Sequence, residues 1–198
     1  MSQQLLINLR INFIIMLSSL LELIELVPPP NRPIHTGLNQ DITQVENTIG
    51  SALPVDYIEY IHHYGECLWY NHIYVVSPFN SGLSSLWGWH QYNIEQLKSL
   101  FSGYLPLVKH QVFPEKNGLL LCGGDLWGEH IAWVTDGEPN NWSIVYFNYD
   151  CGLYNKYDMN ITTFLLKIIK NEIEPDCFPN NIRNNRLDMT IVSIYNHL

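Results

Sequence analysis

The sequence predicts an α+β fold in which a mixed or antiparallel sheet, with a meander over about residues 118–148, is flanked by helices. Two patterns carry this prediction. Short runs of β-branched and aromatic residues bounded by Gly, Pro, Asn or Asp recur at His72 to Val76, Leu119 to Cys122, His130 to Val134 and Ser143 to Phe147. Helical periodicity brackets them, clearest where Ile161, Phe164, Leu165, Ile168 and Ile169 recur at i, i+3, i+4, i+7 and i+8 behind a capping Asn160. A chain of 198 residues fits one such domain with an appended element at either end.

The elements follow in order. An apolar stretch from Leu5 to Val27 is interrupted by Arg10, Glu22 and Glu25. Its longest charge-free run, Ile11 to Leu21, falls short of the roughly 18 residues a membrane span needs. No small-residue cleavage site follows it. The expectation is a helix docked on the domain or on a second copy of the chain, as in a homodimer, with a membrane anchor as the alternative. Pro28-Pro29-Pro30 and Pro33 end this helix, because proline lacks the amide donor and clashes with the preceding turn. Residues 1–30 therefore form an N-terminal helix and linker, residues 34–179 the main domain and residues 180–198 a C-terminal extension.

Within the main domain, Asp41 caps a helix, with Gln44 completing a capping box, Ile42, Val45 and Ile49 on one face and Gly50 as the stop. Leu53-Pro54 opens the next helix, with Asp56 near its positive end, a buried stripe of Tyr57, Ile58, Ile61 and Tyr64, and Gly65 closing it. Gln91 to Phe101 reads as a further helix. Past Pro175 the tract Asn180 to Asn185 is polar and turn-like, before a last apolar alternation from Met189 to Tyr195.

Apolar residues at 46% and charged residues at 15% exclude a disordered chain and do not suit an integral membrane protein. Ten Lys+Arg against nineteen Asp+Glu leave a formal charge of -9, a field that repels nucleic acid and attracts basic proteins. Cys67, Cys122, Cys151 and Cys177 are too dispersed for a zinc site and too few for a disulfide scaffold. They read as reduced thiols in a cytoplasmic protein, although two bridges are also compatible with the sequence.

The patterns that nucleophile elbows, phosphate-cradling loops and helical metal-binding histidine pairs require are absent from the sequence, so no catalytic residue, metal ligand or cofactor is assigned. His62, His63 and Cys67 are the nearest approach to a ligand cluster, but adjacent histidines on a helix diverge by about 100°. Asp125, Glu129, Asp136 and Glu138 sit among Gly123-Gly124, Gly128 and Gly137-Glu138-Pro139-Asn140, which is turn chemistry rather than a paired-carboxylate site. As a binding surface they are better motivated. Turn carboxylates beside Trp127 and Trp142 combine aromatic anchors with acceptors for Lys and Arg, and strand alternation turns Trp133 inward. The expected partner-binding residues are therefore Asp125, Trp127, Glu129, Asp136, Glu138 and Trp142.

Two segments carry a family resemblance. The first is Ile42-x-x-Val45-Glu46-x-x-Ile49-Gly50-x-x-Leu53-Pro54-x-Asp56-Tyr57. The second is Phe113-Pro114-Glu115-x-x-Gly118-Leu119-Leu120, running into Gly123-Gly124 and Trp133-x-Thr135-Asp136-Gly137-Glu138-Pro139-x-x-Trp142. Together with Tyr157-Asp158-Met159 and the helix after it, they resemble the SUKH superfamily, which includes the fungal cell-wall-assembly regulators, over about Ile34 to Pro179. The resemblance implies an α+β domain and, as for most bacterial members, an immunity protein that neutralises a polymorphic toxin, often a nuclease. Fungal members resemble regulatory scaffolds, which is the alternative. Where the family often has Pro-Trp-Gly, this chain has Leu121-Cys122-Gly123. The implied partner is a cognate toxin with a basic surface; nucleic acid and membrane are not expected partners.

Overall fold

A computed structural model describes residues 17–69, 72–93, 110–148, 153–176 and 192–193. Residues 17–26 are helical (α1) and are followed by α2 (Ile42–Ile49) and α3 (Val55–Tyr64). Next come β1 (Cys67–Trp69), β2 (Ile73–Val75) and a helix at residues 86–93 (α4). The remaining elements are β3 (Leu119–Asp125), β4 (His130–Val134), β5 (Ser143–Asn148), β6 (Leu153–Tyr157), α5 (Ile161–Ile169) and β7 (Val192–Ser193). The sheet has seven strands in the order β6-β5-β4-β3-β2-β1-β7, and every pairing is antiparallel. The meander thus extends beyond residues 118–148 in both directions. It takes in β1 and β6, which periodicity does not mark.

The caps follow local chemistry. The Asp41 carboxylate accepts from the amide of Thr43 at 2.9 Å, and Gly50 ends α2 in a left-handed conformation (φ 84°) that costs glycine nothing. In α5 the Asn160 side chain accepts from Thr163 N at 2.9 Å. The helix expected over Gln91 to Phe101 starts earlier, burying Leu86, and residues 94–101 lie outside the described part of the chain. The Met189 to Tyr195 alternation is described only at β7, which pairs with β1.

Period-two alternation divides the sheet into two faces. On one, Leu120, Ile131, Trp133, Ile144 and Tyr146 pack against Tyr57, Tyr60, Ile61 and Tyr64 of α3 and the apolar stripe of α5. The other face buries Leu119, Leu121, Ala132, Val134, Val145 and Phe147 beside Trp89 and Tyr154. Trp133 is buried as expected, and it lies on the α3 side, edge-on to Tyr57 at a centroid distance of 4.8 Å.

The N-terminal helix joins the same core through Leu20, Leu23 and Val27. Tyr64 Oη donates to Val27 O at 2.7 Å, and the Ser19 and Thr162 hydroxyls meet at 2.7 Å. Thr162 in turn donates its amide (3.1 Å) and hydroxyl (3.2 Å) to the buried Asp56 carboxylate. One polar chain therefore joins the starts of α3 and α5 to α1. Burial pushes Asp56 up to about 6 against those two hydrogen bonds and others from the amides of Tyr57 and Asp56 itself. Cys67 and Cys122 are free and buried, while Cys151 and Cys177 lie outside the described residues.

Candidate functional site

The six expected partner-binding residues fall at opposite ends of β4. Asp125, Trp127 and Glu129 belong to the β3–β4 hairpin, whereas Asp136, Glu138 and Trp142 belong to the β4–β5 connection. Trp127 (64% exposed), Asp136 and Glu138 face solvent. Asp125 (3% exposed), Glu129 (6%) and Trp142 (5%) are buried, which corrects the expectation of one continuous acidic and aromatic face.

A β-bulge explains the inward turn of Asp125. Leu119, Leu120 and Leu121 pair with Val134, Trp133 and Ala132, but the register then shifts so that Gly123 pairs with Ile131 and Gly124 with His130. One extra residue reverses the facing of everything after it. Asp125 would otherwise share the face of Leu119 and Leu121; after the bulge it lies on the face of Tyr146. The two glycines permit the close strand approach, since a Cβ at Gly123 would stand 2.3 Å from Tyr74 O and one at Gly124 2.4 Å from Glu129 O. Trp142 is buried because it packs on Trp133 at a centroid distance of 6.0 Å and donates its indole N–H to Gly137 O at 3.2 Å.

Asp125 organises the hairpin from below. Its Oδ1 accepts from the amides of Trp127 (2.8 Å) and Glu129 (3.0 Å). Its Oδ2 accepts from the Tyr146 hydroxyl at 2.5 Å and faces His72 Nε2 at 3.3 Å. Burial opposes ionisation, but these donors, with His72 foremost, outweigh it and hold Asp125 well below the usual carboxylate range. Glu129 behaves oppositely. Burial first, then the neighbouring Asp125 carboxylate, push it up to about 7, against a hydrogen bond from Asn148 Nδ2 to Oε1 at 2.7 Å and one from its own backbone amide. His130, buried on the other face, is lowered to about 4 by burial.

The result is a turn with a locked backbone and an apolar outer surface. Leu126 (62% exposed) and Trp127 project from it, and the Trp127 ring meets His72 edge-on at 5.8 Å. Sequence reasoning singled out Trp127 but not Leu126, His72, Tyr146 and Asn148. Their positions depend on cross-strand pairing, which short-range spacing does not reveal. Of the other candidates, the Cys67 thiol contacts Tyr60 Oη at 3.3 Å and is pushed up to about 12 by burial, and His62 stacks on Phe79. Among the described residues no group of three His, Cys, Asp or Glu side chains is placed to hold a metal. No described helix is long and apolar enough to cross a membrane.

A family model described as SUKH_6, SMI1-KNR4 cell-wall, matches residues 39–165, more than half of the chain. The chain belongs to the SUKH superfamily. The match runs from just before α2 into α5, so it includes the whole β3–β4 hairpin and leaves α1 and β7 outside. SUKH domains are in general immunity or regulatory proteins rather than enzymes. No curated protein and no solved structure gives a significant match to this SUKH chain.

Proposed function

We propose that this SUKH protein is a cytoplasmic immunity protein that binds a cognate protein toxin one to one and blocks it, without catalysis or a cofactor. The observation that carries the reading is the β3–β4 hairpin. A tryptophan that is 64% exposed stands on a turn whose backbone amides are held by a buried carboxylate. An exposed aromatic on a rigid backbone loses little conformational entropy when it docks, which suits a binding anchor. Family membership supports a protein partner. The formal charge of -9 favours a basic one, and the exposed Asp136 and Glu138 at the far end of β4 would act on encounter rather than as part of the Trp127 contact.

Calorimetric titration with the product of the adjacent open reading frame, at low and moderate salt, tests this reading. The expected result is a tight one-to-one complex that weakens with salt. Asp136→Lys with Glu138→Lys should slow association with little effect on dissociation. Absence of heat at either salt would count against the reading.

A second reading, a regulatory scaffold of the cell-wall-assembly type, is favoured by the outer side of α1, where Leu21 is 62% and Leu26 45% exposed. Leu21→Lys with Leu26→Lys separates the two readings better than deletion of α1, because Leu20, Leu23 and Val27 are core residues. Loss of partner capture in this double variant would favour the scaffold, and retained toxin neutralisation would favour immunity.

A further inference from the structure

We infer that the buried Asp125–Glu129 carboxyl pair is a proton-dependent latch on the β3–β4 hairpin, closed when the pair holds one proton and loosened when that proton leaves. The inference rests on the binding reading only for its consequence, the presentation of Trp127; the latch itself is a property of the hairpin.

Donor placement locates the proton. The Asp125 carboxylate accepts from two backbone amides and the Tyr146 hydroxyl, with His72 Nε2 3.3 Å away. The Glu129 carboxyl receives one side-chain donor, Asn148, besides its own backbone amide, and its Oε2 is buried. A proton shared by two adjacent carboxyls resides on the group with fewer donors, here Glu129. Among the described residues the titratable groups near the pair are His72 before β2 and Tyr146 on β5, which face it, and His130 on β4, which lies on the opposite face of the sheet. Of these only His72 stands within ion-pair distance of Asp125. When Glu129 releases its proton to solvent, two buried carboxylates remain as neighbours. Opening the turn relieves this by hydrating Glu129. The segment that opens comprises Leu126, Trp127 and Gly128, held to the sheet by the Trp127 amide on Asp125 Oδ1, the bond from Leu126 N to His72 O at 3.1 Å and the Trp127–His72 ring contact, with the Glu129 amide on the same Asp125 oxygen closing the turn.

The sign follows from linkage. Closed, Glu129 titrates at about 7; open, it returns to its ordinary 4.5. Between these values the closed turn binds the extra proton, so opening is favoured as pH rises and levels off above the upper value. The limiting slope is about tenfold in the opening constant per pH unit.

The test is amide hydrogen exchange of the full chain from pH 5 to pH 8, corrected for intrinsic exchange and read at the Trp127 and Glu129 amides. Wild-type protection should fall by up to about tenfold per unit toward neutrality and then level off, whereas Glu129→Gln, which mimics the protonated acid, should show no such slope. The carboxyl carbon resonance of Glu129 in the wild type provides a check that needs no variant. A step near neutrality supports the latch, and a step in the ordinary carboxylate range overturns it. A flat wild-type profile, or the same slope in Glu129→Gln, also overturns it. No partner enters these measurements, so a flat profile defeats the latch and leaves the binding reading intact. A pH-sensitive hairpin with no toxin captured would defeat the binding reading alone.

Discussion

Asp125→Ala is the substitution most informative about the hairpin. It removes the acceptor for the buried Glu129 amide, the buried Tyr146 hydroxyl and the part-buried Trp127 amide. Each buried donor that loses this acceptor costs about 1–3 kcal/mol. Relief from burying a charge offsets part of this, leaving a net loss of about 3 kcal/mol. With a urea m-value of about 2 kcal/mol/M, the unfolding midpoint should drop by about 1.5 M. Asp125→Asn retains one acceptor oxygen and should fall between alanine and wild type. A pH signature accompanies the loss. Asp125 is held below its ordinary value in the fold, so its contribution is present above the ordinary value of 3.8 and disappears as pH falls. The alanine penalty should therefore be larger at pH 7 than at pH 3. A midpoint shift below about 0.3 M at pH 7 would refute the argument that Asp125 secures the turn.

Further outcomes follow from the core. Asp56 is raised to about 6, so its protonated form is favoured in the fold and wild-type stability declines as pH climbs from about 4 to 6. The unfolding free energy of Asp56→Asn relative to wild type should accordingly improve across that window and stay level above it, as measured by urea titrations at several pH values. Leu23→Ala, at a fully buried position of α1, should cost about 2–5 kcal/mol in chemical denaturation; a loss under about 0.5 kcal/mol would mean that α1 is not part of the core.

Much of the fold is legible in the sequence because its strongest signals are local. β4 and β5 alternate cleanly between two buried faces, so Trp133 could be assigned inward from spacing alone. Two strands carried no such signal. β1 is three residues long and buried throughout, and β6 is an edge strand with Asn155 and Lys156 in it. The candidate site was legible only in part. Gly123-Gly124 reads as a turn in sequence, but in the fold it continues β3 through a bulge that turns Asp125 toward Tyr146, a residue twenty-one positions away. Trp142 likewise appears exposed beside Pro139 and Asn140 until Trp133 is placed beneath it. The exposed Trp127 needed no long-range information, because the turn around Gly128 (φ 102°) leaves its tip in solvent.

The central claim, that the β3–β4 hairpin is a partner-binding anchor, is tested most directly by calorimetry of wild type and Trp127→Ala against the product of the adjacent open reading frame. The account predicts a one-to-one complex for the wild type and a loss of about 2 kcal/mol or more for the variant, with the unfolding midpoint unchanged. Equal affinity for the two proteins would contradict it.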